Sequence, residues 1–123
     1  MIVANRKYFG TEPFLKVYYK LIRTAQKRGT IYYGDVAKIM KLPTRGEYMS
    51  NETGWILGEI SEWEHNEGRP LLSAVVIRKD IGMPGDGFFR LARQLGKFQG
   101  QGEQDFWHNE LRDVYNMWSK NSV

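Results

Sequence analysis

The chain has 123 residues, a length at which one domain buries about two-thirds of the surface its unfolded form exposes, so a single domain spanning residues 1–123 is expected. It contains no cysteine, which excludes disulfides, thiolate nucleophiles and Cys-ligated zinc or iron–sulfur sites and fits a reducing, cytoplasmic setting. The net charge of +4 is unevenly spread: residues 1–51 hold ten Lys/Arg against three acids, residues 52–67 five acids and no Lys/Arg, and residues 68–123 eight basic against six acidic side chains.

No apolar run approaches the ~20 residues of a membrane helix, since the longest, Leu71 to Ile77, is interrupted by Ser73. Met1 to Lys7 has no signal-peptide core, so no membrane partner is expected. Phe14, Leu15, Tyr18, Leu21, Ile22 and Ala25 recur at helical spacing. They predict a first helix capped by Thr11, with Pro13 in its first turn, Gly29 as its stop and Lys16, Lys20, Arg23 and Lys27 facing outward. Thr30 to Tyr33 is a β-branched and aromatic entry to a short second helix. That helix must end before Pro43, because the residue preceding a proline is pushed out of helical geometry.

Leu42 to Tyr48 reads as a polar connection, after which Ser50 or Asn51 caps a third helix to about Asn66. Its inward stripe is Thr53, Ile56, Leu57, Ile60 and Trp63 or Glu64. Gly54 and Gly58 lie four apart, and because glycine costs about 1 kcal/mol in a helix, both imply the close approach of another backbone. Leu71 to Ile77 has the composition of a buried strand, whose partner would come from residues 2–9, from 30–33 or from beyond the glycine-rich loop 80–87. Gly87 to Gly96 is a fourth helix. After the Gly/Gln segment 96–102, Trp107, Leu111, Val114, Tyr115 and Trp118 form the stripe of a last helix that packs on the first. The expected fold is α+β and mainly helical, with Leu21, Ile22, Val36, Leu57, Ile60, Val75, Leu111 and Val114 in the core.

Three helices followed by a strand and a glycine-rich turn match a winged helix, here with an extra C-terminal helix. Tyr32-Tyr33-Gly34-Asp35-Val36-Ala37 resembles the start of the second helix in the DNA-binding domain of alkylguanine-DNA alkyltransferases and alkyltransferase-like proteins. Ile56-Leu57-Gly58 resembles that family's recognition helix, and Pro70 to Val76 followed by Gly82 to Phe88 is similar to its strand and glycine turn. The likeness runs over residues 30–88 and implies a helix-turn-helix with a wing that binds DNA. The family's reactive Pro-Cys-His-Arg run falls at Pro70-Leu71-Leu72-Ser73, so thiol, histidine and arginine are all missing. Alkyl transfer has no nucleophile, and the expectation is a noncatalytic protein without cofactor or metal. The family's helix-borne arginine, which replaces a flipped base in the stack, falls at Trp55.

On this reading Tyr33 lies near a phosphate, Trp55 acts as a wedge, and Lys41, Thr44, Arg45, Tyr48, Ser50 and Asn51 surround the N-terminal end of the third helix as DNA contacts. Arg78 and Lys79 flank the wing, with Arg90 beyond it. Glu52, Glu59, Glu62, Glu64 and Glu67 would repel phosphates along the rest of the third helix, which restricts contact to its beginning. Against these stand plainer readings: Trp55 in the core or in an interface, the residues before it as ordinary caps and a polar loop, and Pro84-Gly85 as a type II turn rather than part of a phosphate cradle. His65 and His108 belong to no metal-binding signature. The competing function is a protein-interaction module or homodimer that uses an aromatic and acidic surface.

Overall fold

The Thr11 hydroxyl accepts the Phe14 N–H at 3.3 Å and opens helix α1, Glu12–Gln26, with Pro13 in the first turn. The structure, a computed structural model, describes residues 6–119. Phe14, Val17, Leu21, Thr24 and Ala25 form the buried face of α1. Leu15, expected on that face, is exposed at 58 %, because the stripe through Phe14, Val17, Leu21 and Ala25 leaves it to one side. Strand β1, Ile31–Tyr32, leads directly into α2, Tyr33–Ile39, where the Asp35 carboxylate accepts the Tyr32 N–H at 2.9 Å.

Helix α3 runs Glu47–Asn66 and starts ahead of the expected Ser50 or Asn51 cap. Its N-cap is Gly46 at φ 103, a conformation that suits a residue without Cβ, and Glu47 complements the helix dipole in the first turn. Tyr48, Ser50 and Asn51 therefore sit on the helix rather than in the loop before it.

The expected strand over Leu71 to Ile77 is another correction. Leu72–Val75 forms a 3₁₀ turn, and only Val76–Ile77 is extended, as β2. The turn is enclosed by α1, by α3 and by α5, Glu103–Ser119. Side chains satisfy its backbone where a ladder would otherwise do so. The Glu110 carboxylate accepts the Leu71 N–H at 2.7 Å, the Ser61 hydroxyl accepts the Ser73 N–H at 3.1 Å, and the Trp107 indole donates to the Ala74 carbonyl at 2.8 Å. Strand β2 pairs in parallel with β1, Ile31 opposite Val76 and Tyr32 opposite Ile77. Among the described residues these two strands are the whole sheet, and residues 2–5, part of one expected partner, lie outside them. The glycine-rich segment is a closed turn rather than a hairpin: Arg78 N–H donates to the Met83 carbonyl and Gly82 N–H to the Arg78 carbonyl, each at 2.8 Å. Helix α4, Asp86–Gln94, follows it.

Of the expected core, Leu21, Val36, Leu57, Ile60, Val75 and Val114 are buried, while Ile22 and Leu111 are half-buried at its edge. Helix α5 packs on α1 as its stripe predicts, and the Tyr115 hydroxyl donates to the Gly29 carbonyl at 2.7 Å. Among the described residues no helix is long and apolar enough to cross a membrane.

Candidate nucleic-acid interface

The acids of α3 do not form the exposed band expected from the sequence. Glu52, Glu59, Glu62 and Glu64 are all buried, and of the five only Glu67 is exposed. Each buried carboxylate is met by donors. Glu59 accepts the backbone N–H groups of Lys7, Tyr8 and Phe9, and Glu52 accepts the Lys7 ammonium at 2.6 Å and the Tyr8 hydroxyl. Glu62 lies 3.9 Å from the Arg6 guanidinium. Glu64, with 0 % exposure, is gripped by Arg69 at 2.8 and 3.1 Å and by the Tyr18 hydroxyl at 2.5 Å. Lys7 and Tyr8 hold the Glu52 carboxyl below its ordinary range, while burial and Glu52 push the Tyr8 phenol up. An acidic run in the sequence is thus neutralised inside the fold, in part by Arg6, Lys7 and Arg69, while Lys38, Arg45, Arg78, Lys79 and Arg90 stay exposed.

Those cations border a cleft of ≈ 1140 Å³. One wall comes from α2, with Tyr33 and Asp35 in its first turn and Lys38 in its last, together with Thr44 and Arg45. Helix α3 supplies Ser50, Asn51, Gly54, Trp55 and Gly58, and a second wall, from β2 to α4, holds Ile77, Arg78, Lys79, Phe88 and Arg90. Ser73, almost buried, lies on the lining with its hydroxyl 2.6 Å from that of Ser61. Lys38, Arg45, Arg78, Lys79 and Arg90 outnumber Asp35, Asp80 and Asp86 in this lining. Arg78 is bound to Asp80 at 3.0 and 2.6 Å, which raises the arginine's pKa and lowers the aspartate's. The Lys79 ammonium lies 5.0 Å from the Tyr32 ring centre.

Gly54 and Gly58 do not admit a neighbouring backbone: a Cβ at either would meet nothing within 4 Å. Their missing side chains instead leave space in the cleft. The two walls are tied by the Tyr33 hydroxyl, which accepts the Gly85 N–H at 2.8 Å, and burial pushes this phenol's pKa up. That bond occupies one N–H of the glycine turn which the sequence offered to a phosphate. Trp55 is 38 % exposed, which corrects the reading that puts it in the core, and the Lys7 ammonium lies 4.9 Å from its ring centre.

Eight of the ten expected contacts therefore gather on one lining: Tyr33, Thr44, Arg45, Ser50, Asn51, Trp55, Arg78 and Lys79. Lys41, at φ 61 beyond α2, and Tyr48, 60 % exposed on α3, lie outside it. Sequence reasoning missed Lys38, Ser73 and the part played by Lys7. The glycine pair was the signal it had for the open floor, read there as packing. A second basin of ≈ 690 Å³, lined by His65, Arg69, Lys97 and Asp113, has its Arg69 and Lys97 already bound to Glu64 and Glu110. His108 packs on Trp107 with ring centres 4.9 Å apart. In comparisons with known proteins, the chain matches no family model, no curated protein and no solved structure.

Proposed function

We propose that the protein is a noncatalytic DNA-binding module, winged-helix-like in plan, which uses the cleft between α3 and the β2–α4 segment to recognise distorted or base-flipped DNA. The observation that carries this reading is the half-exposed Trp55 on the rim of a cleft bordered by five cations, on a helix whose neighbouring carboxylates are buried. Lys38, Arg45, Lys79 and Arg90 suit the phosphate backbone, and Ser50 and Asn51 suit the sugar–phosphate edge. The Tyr33 hydroxyl oxygen accepts the Gly85 N–H, which leaves its own O–H to donate to an incoming phosphate. Trp55 takes the part of a stacking wedge, and unstacking is least costly where a duplex is already mismatched or damaged. The order of α2, α3, 3₁₀ turn, β2, glycine turn and α4 supports a kinship of plan with the alkyltransferase DNA-binding domain. With Leu71, Leu72 and Ser73 where that family has its reactive residues, the proposed module binds without transferring an alkyl group.

A protein-binding or homodimeric role would use other residues than the sequence suggested, because four of the α3 acids are buried. Leu15 and Tyr19 on α1, Tyr48 on α3 and Ile81 in the glycine-rich turn are the strongly exposed apolar side chains open to it among the described residues. The deciding experiment is a titration against matched, singly mismatched and single-stranded DNA across a salt series. Binding is expected to weaken steeply with salt and to favour the mismatch. Trp55→Ala is expected to erase the preference while the salt-dependent affinity and the melting temperature persist. No affinity even near about 50 mM salt defeats the DNA reading.

A further inference from the structure

Residues 6–9, ahead of α1, carry no helix or strand, yet they are fixed along α3 by several independent contacts. Three successive N–H groups converge on Glu59: Lys7 at 2.9 Å, Tyr8 at 3.0 Å and Phe9 at 2.8 Å. Such a nest of backbone donors is a fixed anion site, and Glu59, nearly buried, fills it. The Phe9 ring packs against Phe14 and Trp63, with centres 5.2 Å away in both cases. Lys7 adds the contact that reaches the proposed DNA site, its ammonium 2.6 Å from Glu52 and 4.9 Å from the Trp55 ring centre. Glu52 precedes Trp55 by three positions on α3, so the carboxylate that draws the ammonium and the ring that meets it are neighbours on the helix surface.

We infer that residues 6–9 are a strap that fixes the Trp55 indole for DNA contact, with Lys7 as the positioning residue. The inference rests on the DNA reading above and names what prepares its central side chain. A half-exposed indole has several rotamers, and an ammonium held over the ring by a buried carboxylate favours the one that keeps the two in register. The effect depends on charge. Glu59 anchors the strap through backbone amides, so removing the ammonium leaves the strap docked and Glu52 still bonded to the Tyr8 hydroxyl, and withdraws the cation's contribution to the position of the ring.

The experiment uses the whole chain as wild type, Lys7→Met, Lys7→Arg, Trp55→Ala and the Lys7→Met/Trp55→Ala double variant. Two quantities are read: the Trp55 indole N–H resonance, identified by its loss in Trp55→Ala, and the ratio of affinities for mismatched and matched duplex. In Lys7→Met the Trp55 resonance is expected to shift while those of Trp107 and Trp118 stay in place. The mismatch preference should fall about two- to fivefold, the size of a cation–π contact at a partly exposed site. Lys7→Arg should restore both, and Lys7→Met should change nothing further when Trp55 is already alanine. An unmoved Trp55 resonance in Lys7→Met overturns the inference. So does an equal loss of affinity in the Trp55→Ala background, which makes Lys7 a direct phosphate contact. A shifted resonance together with a wild type that shows no mismatch preference upholds the strap's hold on Trp55 and defeats the DNA reading instead.

Discussion

At Glu64 a carboxylate with no exposure is held by two guanidinium contacts from Arg69 and one phenol from Tyr18. Burying an ion pair gains little by itself, but removing one partner strands the other charge in a medium that solvates it poorly. Arg69→Met is therefore expected to lose about 3–5 kcal/mol of stability, and pairing it with Glu64→Leu should recover most of that loss, as read from denaturant midpoints. Tyr18 adds a pH dependence. Burial and the bond to Glu64 push its phenol from 10.0 up to about 12, so the unfolded chain loses this proton first. The stabilisation is complete below pH 10 and disappears as pH rises toward about 12, so Tyr18→Phe should make the alkaline unfolding curve shallower over that interval. None of these pairings was legible in the sequence. A run of glutamates states how many charges α3 carries, whereas their direction depends on Arg6, Lys7 and Arg69, which flank the helix from other parts of the chain.

At the scale of elements, α1 and α5 were readable because their apolar residues keep helical spacing and, in α1, because Thr11 and Pro13 mark its start. The segment 71–77 was not, since β-branched and aliphatic residues report burial as much as extension, and here side-chain donors and acceptors replace a strand ladder. Helix α3 shows the same division: its buried stripe follows from spacing, but the meaning of its glycines does not. Packing against a backbone would make alanine harmful at both. With open space around each Cβ position, Gly58→Ala should instead stabilise the helix by up to about 1 kcal/mol. The same methyl narrows the cleft floor, so the variant is expected to melt higher and bind mismatched DNA less well. A lower melting temperature would return Gly58 to a packing role.

Across the whole molecule the cations that flank the cleft come from α2, the loop before α3, the β2–α4 segment and α4 itself, so this basic lining exists only once the fold is complete. The sequence identified most of these residues by type and order, but it could not separate Arg45, inside the lining, from Lys41, outside it, because only Leu42, Pro43 and Thr44 stand between them in the chain. That separation is testable. Arg45→Gln should weaken binding to all DNA sequences and flatten the salt slope by about one unit for each phosphate it no longer neutralises, whereas Lys41→Gln should leave both unchanged. The link between the cleft walls has a kinetic consequence as well. The Tyr33–Gly85 bond closes a span of 52 residues, and beside it the walls share a ladder only two residues long on each strand. Long closures with so little contact to repay them form late in folding and open before the rest of the molecule unfolds. The Gly85 amide should accordingly exchange its hydrogen with solvent well before the amides in the middle of α1, and a ligand that bridges both walls should slow that exchange in proportion to its occupancy.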